Sequence, residues 1–211
     1  MNTKFKVIMA TCIVVLMGAG CDKTQPTSHS THSGHSEHAA ASDYHTAPAF
    51  TLHDQTGKPH TLAEYAGKIV VLEWVNPECP FVKRHYDNKT MVNLANTYAD
   101  KGVVWLAVNS TNTFDQAKNA AFVQERGTPY PVLNDSDGKV GRLYDAKTTP
   151  HLFVIDKAGQ LAYQGAVDDD PAGNKADKIN YVKQAIDDLL AGRAVATPET
   201  KPYGCSVKYA E

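Results

Sequence analysis

The stretch Val70-Val71-Leu72-Glu73-Trp74-Val75-Asn76-Pro77-Glu78-Cys79-Pro80-Phe81-Val82-Lys83 decides the reading of this chain. Its first half is aliphatic and aromatic, and Ile69 to Trp74 reads as a buried strand. Asn76-Pro77-Glu78 breaks the run as a turn. Cys79 follows directly, and Pro80 suits the first turn of a helix, where its missing N–H costs nothing. A thiol at a helix start faces unpaired N–H groups that favour its anion. A free thiol of pKa near 8.5 is only about 3% thiolate at pH 7, and such surroundings lower that pKa to roughly 3.5–7.5. Lys83, one turn on, adds to this effect; Glu73 and Glu78 oppose it if charged and close. The competing reading is an inert cysteine at a strand end. Three residues after Cys79, where a dithiol motif carries its second cysteine, stands Val82.

Outward from this unit the pattern alternates. Phe50-Thr51-Leu52 and His60-Thr61-Leu62 flank a turn at Asp54 to Lys58, and Leu62 to Gly67 is a helical turn. Pro80 to Asp100 predicts one helix with Val82, Tyr86, Leu94 and Tyr98 inward. Val103 to Val108 is a second core strand. Thr113 caps a helix that runs to Arg126 and stops at Gly127. Tyr130 to Leu133 is a strand and Asp137 to Tyr144 a short helix. Leu152 to Ile155 and Leu161 to Tyr163 flank Asp156-Lys157-Ala158-Gly159, a hairpin signal. Asp177 to Leu190 is a last helix, with Ile179, Val182, Ile186, Leu189 and Leu190 along one side. The order β-β-α-β-α-β-α-β-β-α gives an α/β fold with a central mixed sheet flanked by helices. Asp168-Asp169-Asp170 lacks calcium-ligand spacing and reads as a solvated loop.

The ends carry other information. Lys4 and Lys6 precede an apolar run from Val7 to Met17, too short for a bilayer span of about 20 residues. It leads into Leu16-Met17-Gly18-Ala19-Gly20-Cys21. Small residues before a cysteine resemble a bacterial lipoprotein cleavage site, although Gly18 departs from the usual larger aliphatic residue. On that reading 1–20 is a signal peptide and Cys21 becomes the lipid-bearing N-terminus. The chain would then be held at a membrane outside the cytoplasm, periplasm-facing in a Gram-negative cell, where disulfides persist. A plain secretory signal is the alternative. Residues 21–48 form a His/Ser-rich tether. Its His29, His32, His35 and His38 recur every third residue; they are either ligands for Zn, Cu or Ni or a solvated spacer, the spacer being favoured. No cofactor is required by the remaining pattern. The net charge of −2 over 211 residues, with no basic cluster, argues against nucleic acid as a partner.

The domain at 49–192 resembles the thioredoxin fold. Cys79 stands where thioredoxins carry the first cysteine of their dithiol. Glu73, six residues before it, stands where they place a buried acid that assists proton transfer. Lys147-Thr148-Thr149-Pro150-His151-Leu152 is similar to their cis-proline segment. The resemblance is nearest to peroxiredoxin-like redoxins of the alkyl hydroperoxide reductase/thiol-specific antioxidant group. One subgroup has a single cysteine in Asn-Pro-Glu-Cys-Pro, here 76–80, and ends in Gly-Cys-Ser-Val-Lys-Tyr, here 204–209. The resemblance implies a cis Thr149–Pro150 bond beside Cys79, with the Thr149 backbone positioning an extended substrate chain. His151, next in line, has three readings: base, metal ligand or, ranked first, surface histidine.

With Cys12 in the signal and Cys21 taken by lipid, Cys205 in the tail 193–211 is the remaining intramolecular partner for Cys79. A bond between them closes a loop of about 126 residues, worth up to about 5 kcal/mol in the chain-entropy model, so a structural staple is as open as a resolving thiol. The leading expectation is a membrane-tethered thiol–disulfide oxidoreductase or antioxidant. Cys79 attacks a thiol/disulfide protein or small oxidant, Cys205 resolves, Glu73 moves protons and an unidentified reductant resets the pair. A thiol peroxidase is the alternative. It is weakened because Asn76 stands where a peroxidase needs a threonine, Pro150 where it needs an arginine, and neither Arg126 nor Arg142 fits the motif. The non-enzymatic alternative is a metal-handling lipoprotein using Cys79, Cys205 and His151.

Overall fold

The computed structural model describes residues 45–211. The signal segment, Cys21, and the tether histidines His29, His32, His35 and His38 lie outside the described residues.

Ten strands and five α-helices follow in the order β1 (His45–Thr46), β2 (Thr51–Asp54), β3 (Pro59–Thr61), β4 (Ile69–Trp74), α1 (Pro80–Asp87), α2 (Thr90–Ala99), β5 (Val103–Asn109), α3 (Gln116–Arg126), β6 (Val132–Asn134), α4 (Lys139–Leu143), β7 (Thr148–Thr149), β8 (His151–Ile155), β9 (Gln160–Gly165), α5 (Tyr181–Leu190) and β10 (Cys205–Ser206) among the described residues. Eight strands form one sheet in the order β1-β9-β8-β4-β5-β6-β2-β3. β4 lies inside it, parallel to β5 and antiparallel to β8. All six of its residues are buried, which is why its sequence reads as a continuous apolar run rather than an alternation.

Successive side chains of β4 point to opposite faces and so serve two cores. Ile69 and Val71 pack with Val82, Tyr86, Met91, Tyr98, Phe122 and Ile186 on the side of α1, α2, α3 and α5. Val70, Leu72 and Trp74 pack with Leu106, Val140, Tyr144 and Phe153 on the other. A mixed sheet with helices on both faces and a cis-proline loop between β7 and β8 is the thioredoxin-like fold.

Several elements differ from the expected ones. The helix from Pro80 to Asp100 is two helices. Lys89 takes a left-handed conformation (φ 55°), which ends α1 and restarts the chain as α2; a change of backbone direction at a lysine leaves no composition signal. α3 begins after Asp115, whose carboxylate accepts the Lys118 N–H at 2.9 Å, and not at Thr113. α5 begins after Asn180, which caps the Lys183 N–H at 2.8 Å. Ile179 therefore lies outside the helix and stays 42% exposed. The third strand of the parallel set starts at Val132, two residues past Tyr130. The aspartate loop is not wholly solvated: Asp168 and Asp170 are 1% and 4% exposed.

Candidate active site

Cys79 is placed by backbone. Asn76 accepts the Glu78 N–H on its side chain at 2.8 Å and the Cys79 N–H on its carbonyl at 2.9 Å. This turn drops Cys79 onto the N-cap of α1, ahead of Pro80 in the first turn. Its side chain is buried, 2% exposed. The Thr149–Pro150 bond is cis, and the Thr149 carbonyl accepts from the Cys79 thiol at 3.0 Å.

The second sulfur arrives from the far end of the chain. Cys205 and Ser206 pair antiparallel with Thr149 and Thr148, and the two sulfurs stand 2.9 Å apart across 126 residues of sequence. Both cysteines are free thiols here, Cys79 buried and Cys205 half-buried. A disulfide between them would shorten this distance to roughly 2.05 Å.

The two thiols differ in acidity. Burial works against charge at Cys79, but hydrogen bonds to its anion from Cys205 and the Val82 N–H help to outweigh it, and the thiol lies below its ordinary value. Burial, and then the neighbouring Cys79, push Cys205 up to about 11. Of the two, Cys79 gives up its proton the more readily and Cys205 keeps its own.

Glu73 shares the α1 face of β4 with this site. It is fully buried. Its Oε2 accepts from the Trp105 indole at 2.9 Å and from the Tyr130 hydroxyl at 3.3 Å, while Oε1 has no partner. The Tyr130 hydroxyl also meets that of Tyr86 on α1 at 3.1 Å. Burial pushes Glu73 up to about 7, against the pull of the Trp105, Tyr86 and Tyr130 hydrogen bonds. A carboxyl half-protonated near neutrality, on the same sheet face as Cys79, can hold or release a proton.

The tail is a strap fixed on both sides of Cys205. Before it, the Gln164 N–H donates to Pro198 and the Thr200 N–H to Gln164, both at 3.0 Å. The Tyr203 hydroxyl donates to Asp168 and accepts from His85 Nε2 at 3.1 Å. Burial holds His85 down at about 4, so it is neutral at pH 7. After it, the Val207 N–H donates to Lys147 at 3.2 Å, the Tyr209 hydroxyl to Ala146 at 2.7 Å, and Arg142 to Ala210 at 2.6 Å. Gly204 makes the crossing (φ 141°): a Cβ there would sit 2.1 Å from the Thr149 carbonyl oxygen.

Cys79, Cys205, Thr149 and Pro150 thus come together. Other expected groups do not. His151 is buried, not a surface residue, at 4% exposure. It lies against Phe153 and accepts the Lys147 N–H at 3.3 Å, because β8 is covered on both faces. Lys83 is exposed and meets Cys79 through its backbone, its N–H donating to the Cys79 carbonyl at 2.9 Å. Arg126 pairs with Asp87 and Glu125, and Arg142 serves the tail. No arginine bonds to Cys79 among the described residues. Sequence reasoning missed Tyr203, Asp168 and His85. The one signal available was the aromatic next to Gly204-Cys205.

Residues 44–164 match the AhpC/TSA family. The thiol-disulfide oxidoreductase ResA of Geobacillus kaustophilus (strain HTA426) is 29% identical over 161 residues, 76% of this chain and 87% of that protein. A hypothetical protein of Sinorhizobium meliloti 1021 superposes with a TM-score of 0.73 at 29% identity, over 79% of this chain and 94% of that one. A putative thioredoxin from Neisseria meningitidis superposes at 0.51 and 29% identity, over 58% and 79%.

Two outcomes follow from the geometry. Glu73 binds its proton more tightly folded, at about 7, than unfolded, at the ordinary 4.5. Between those values the folded state holds a proton that the unfolded state has lost, so stability falls as pH rises through this window. The loss is on the order of 3 kcal/mol. Urea midpoints of the wild type should drop from pH 4.5 to 7, and those of Glu73→Gln should lose that part of the slope. In Gly204→Ala the Cβ drives β10 off Thr149. Alkylation of Cys79 should then accelerate and the yield of intramolecular disulfide fall, both read by mass spectrometry.

Proposed function

The chain belongs to the AhpC/TSA family, and from that premise we propose that it is a thiol–disulfide oxidoreductase whose Cys79 and Cys205 cycle between dithiol and disulfide. One observation carries this reading: two free cysteines 126 residues apart meet at 2.9 Å over a cis-proline loop. A staple would need only proximity. The opposite shifts of the two thiols supply what exchange needs as well, one thiol that ionises readily beside one that keeps its proton. The name of the Geobacillus kaustophilus relative accords with this chemistry.

Cys79 is the nucleophile within the pair and Cys205 its reaction partner. Glu73, held on the same sheet face, exchanges the proton that one sulfur sheds. Thr149 and Pro150 supply the backbone against which the reacting sulfur is aligned. Thiol/disulfide proteins are the substrate class, and a separate reductant returns the pair to the dithiol. The sequence supports an extracytoplasmic membrane anchor through Cys21, with the residues up to 48 as tether. The His29–His38 tract is a spacer in this reading and needs no metal.

Purified protein should catalyse disulfide interchange with a dithiol peptide, and Cys79→Ser and Cys205→Ser should each fall to the uncatalysed background. Peroxide consumption that requires Cys79, without interchange, would overturn the reading in favour of a thiol peroxidase. The mature chain made in bacteria should begin at Cys21 and carry acyl mass; an unacylated N-terminus would remove the anchor.

A further inference from the structure

We propose that Cys205, not Cys79, is the sulfur through which the oxidised pair exchanges with a partner thiol, Cys79 being the thiolate that leaves. The inference rests on the Cys79–Cys205 redox pair proposed above, and it concerns which end of that bond the outside world meets.

Attack on a disulfide is in line. The incoming sulfur approaches one sulfur from the side opposite the bond that breaks, so access behind each sulfur decides the outcome. Behind Cys79 lies protein. Its residue is 2% exposed, set between the first turn of α1 and the Thr149 carbonyl, and packed among Val75, Val82 and Tyr86. On the strap side Cys205 Sγ stands 2.9 Å from it. Cys205 borders solvent: it is half-buried, and Ser206 next to it is exposed. Among the described residues β10 pairs only with β7. Its outer edge therefore offers backbone groups to which an extended segment of a partner polypeptide can add. The strap cannot simply swing away to uncover Cys79, because Tyr203 is fixed to Asp168 and His85 on one side and Tyr209 to Ala146 on the other.

The step balances. A partner thiolate forms a bond to Cys205 Sγ, the Cys205–Cys79 bond breaks, and its electron pair leaves on Cys79. A second thiolate of the partner then attacks the partner's first sulfur and expels Cys205, which takes up a proton. The partner is oxidised to a disulfide by two electrons, and the pair is reduced to thiol and thiolate. The leaving group is the more acidic of the two sulfurs, as a fast exchange requires.

The intact protein is oxidised with diamide, mixed with excess reduced glutathione, quenched in acid within seconds, alkylated and mapped by peptide mass spectrometry. Glutathione should be found on Cys205 with Cys79 alkylated, in roughly tenfold excess over the reverse arrangement. Glutathione predominantly on Cys79 would overturn this inference and leave the redox pair standing. If diamide leaves both cysteines open to alkylation, the pair itself fails, and the inference with it.

Discussion

Two residues of backbone, β10 laid on β7, hold the site together. That contact sets one sulfur against another from opposite ends of the domain. It is possible because Gly204 has no side chain to strike the Thr149 carbonyl. It is kept because the chain is tied down on either side, by Tyr203 in a pocket shared with Asp168 and His85 and by Tyr209 against α4 and Ala146. Such a short strand would not hold alone. Here the loss of chain entropy is met by side-chain anchors, and the reactive segment between them needs few contacts of its own.

Burial acts on three titratable groups around this contact, and the outcome differs with the hydrogen bonds available. Glu73 receives two donors on one oxygen and none on the other, so desolvation wins and the carboxyl rises to about 7. Cys79 is buried too, but its anion is met by donors from the helix start and the strap, and it falls. Cys205 has burial and a neighbouring anion against it, and it rises. Low dielectric thus separates the groups into proton holders and a nucleophile, with Lys208 pulling only weakly against the rise at Cys205.

The local features were legible because local chemistry causes them. β4 announces itself by an unbroken apolar run, the turn by Asn76-Pro77, the start of α1 by Pro80, and the loop by Thr149-Pro150. What the sequence could not carry was set by distant packing. Lys89 bends the chain between α1 and α2 through a conformation its side chain does not favour. His151 carries a polar side chain yet lies in a strand whose five residues are all buried. Asp168 looks like one of three solvated aspartates until Tyr203 folds back onto it. The presence of Cys205 as a candidate partner was visible; its path across the cis-proline loop was not, since glycine before cysteine is a common pair of letters.

The anchored strap has a further consequence for kinetics. After any external thiol has opened the pair, the freed Cys79 is not lost to solution. It remains opposite Cys205 at an effective concentration that flexible tethers already bring to the millimolar range, and the tyrosines flanking Cys205 hold the strap in register. A monothiol joined to Cys205 is therefore short-lived unless acid traps it, because recapture by Cys79 outruns the arrival of a second solute molecule. A partner that brings two thiols on one chain competes on equal terms, since its second sulfur is local as well. The geometry acts as a filter on valency: it passes dithiols and returns single thiols to solvent.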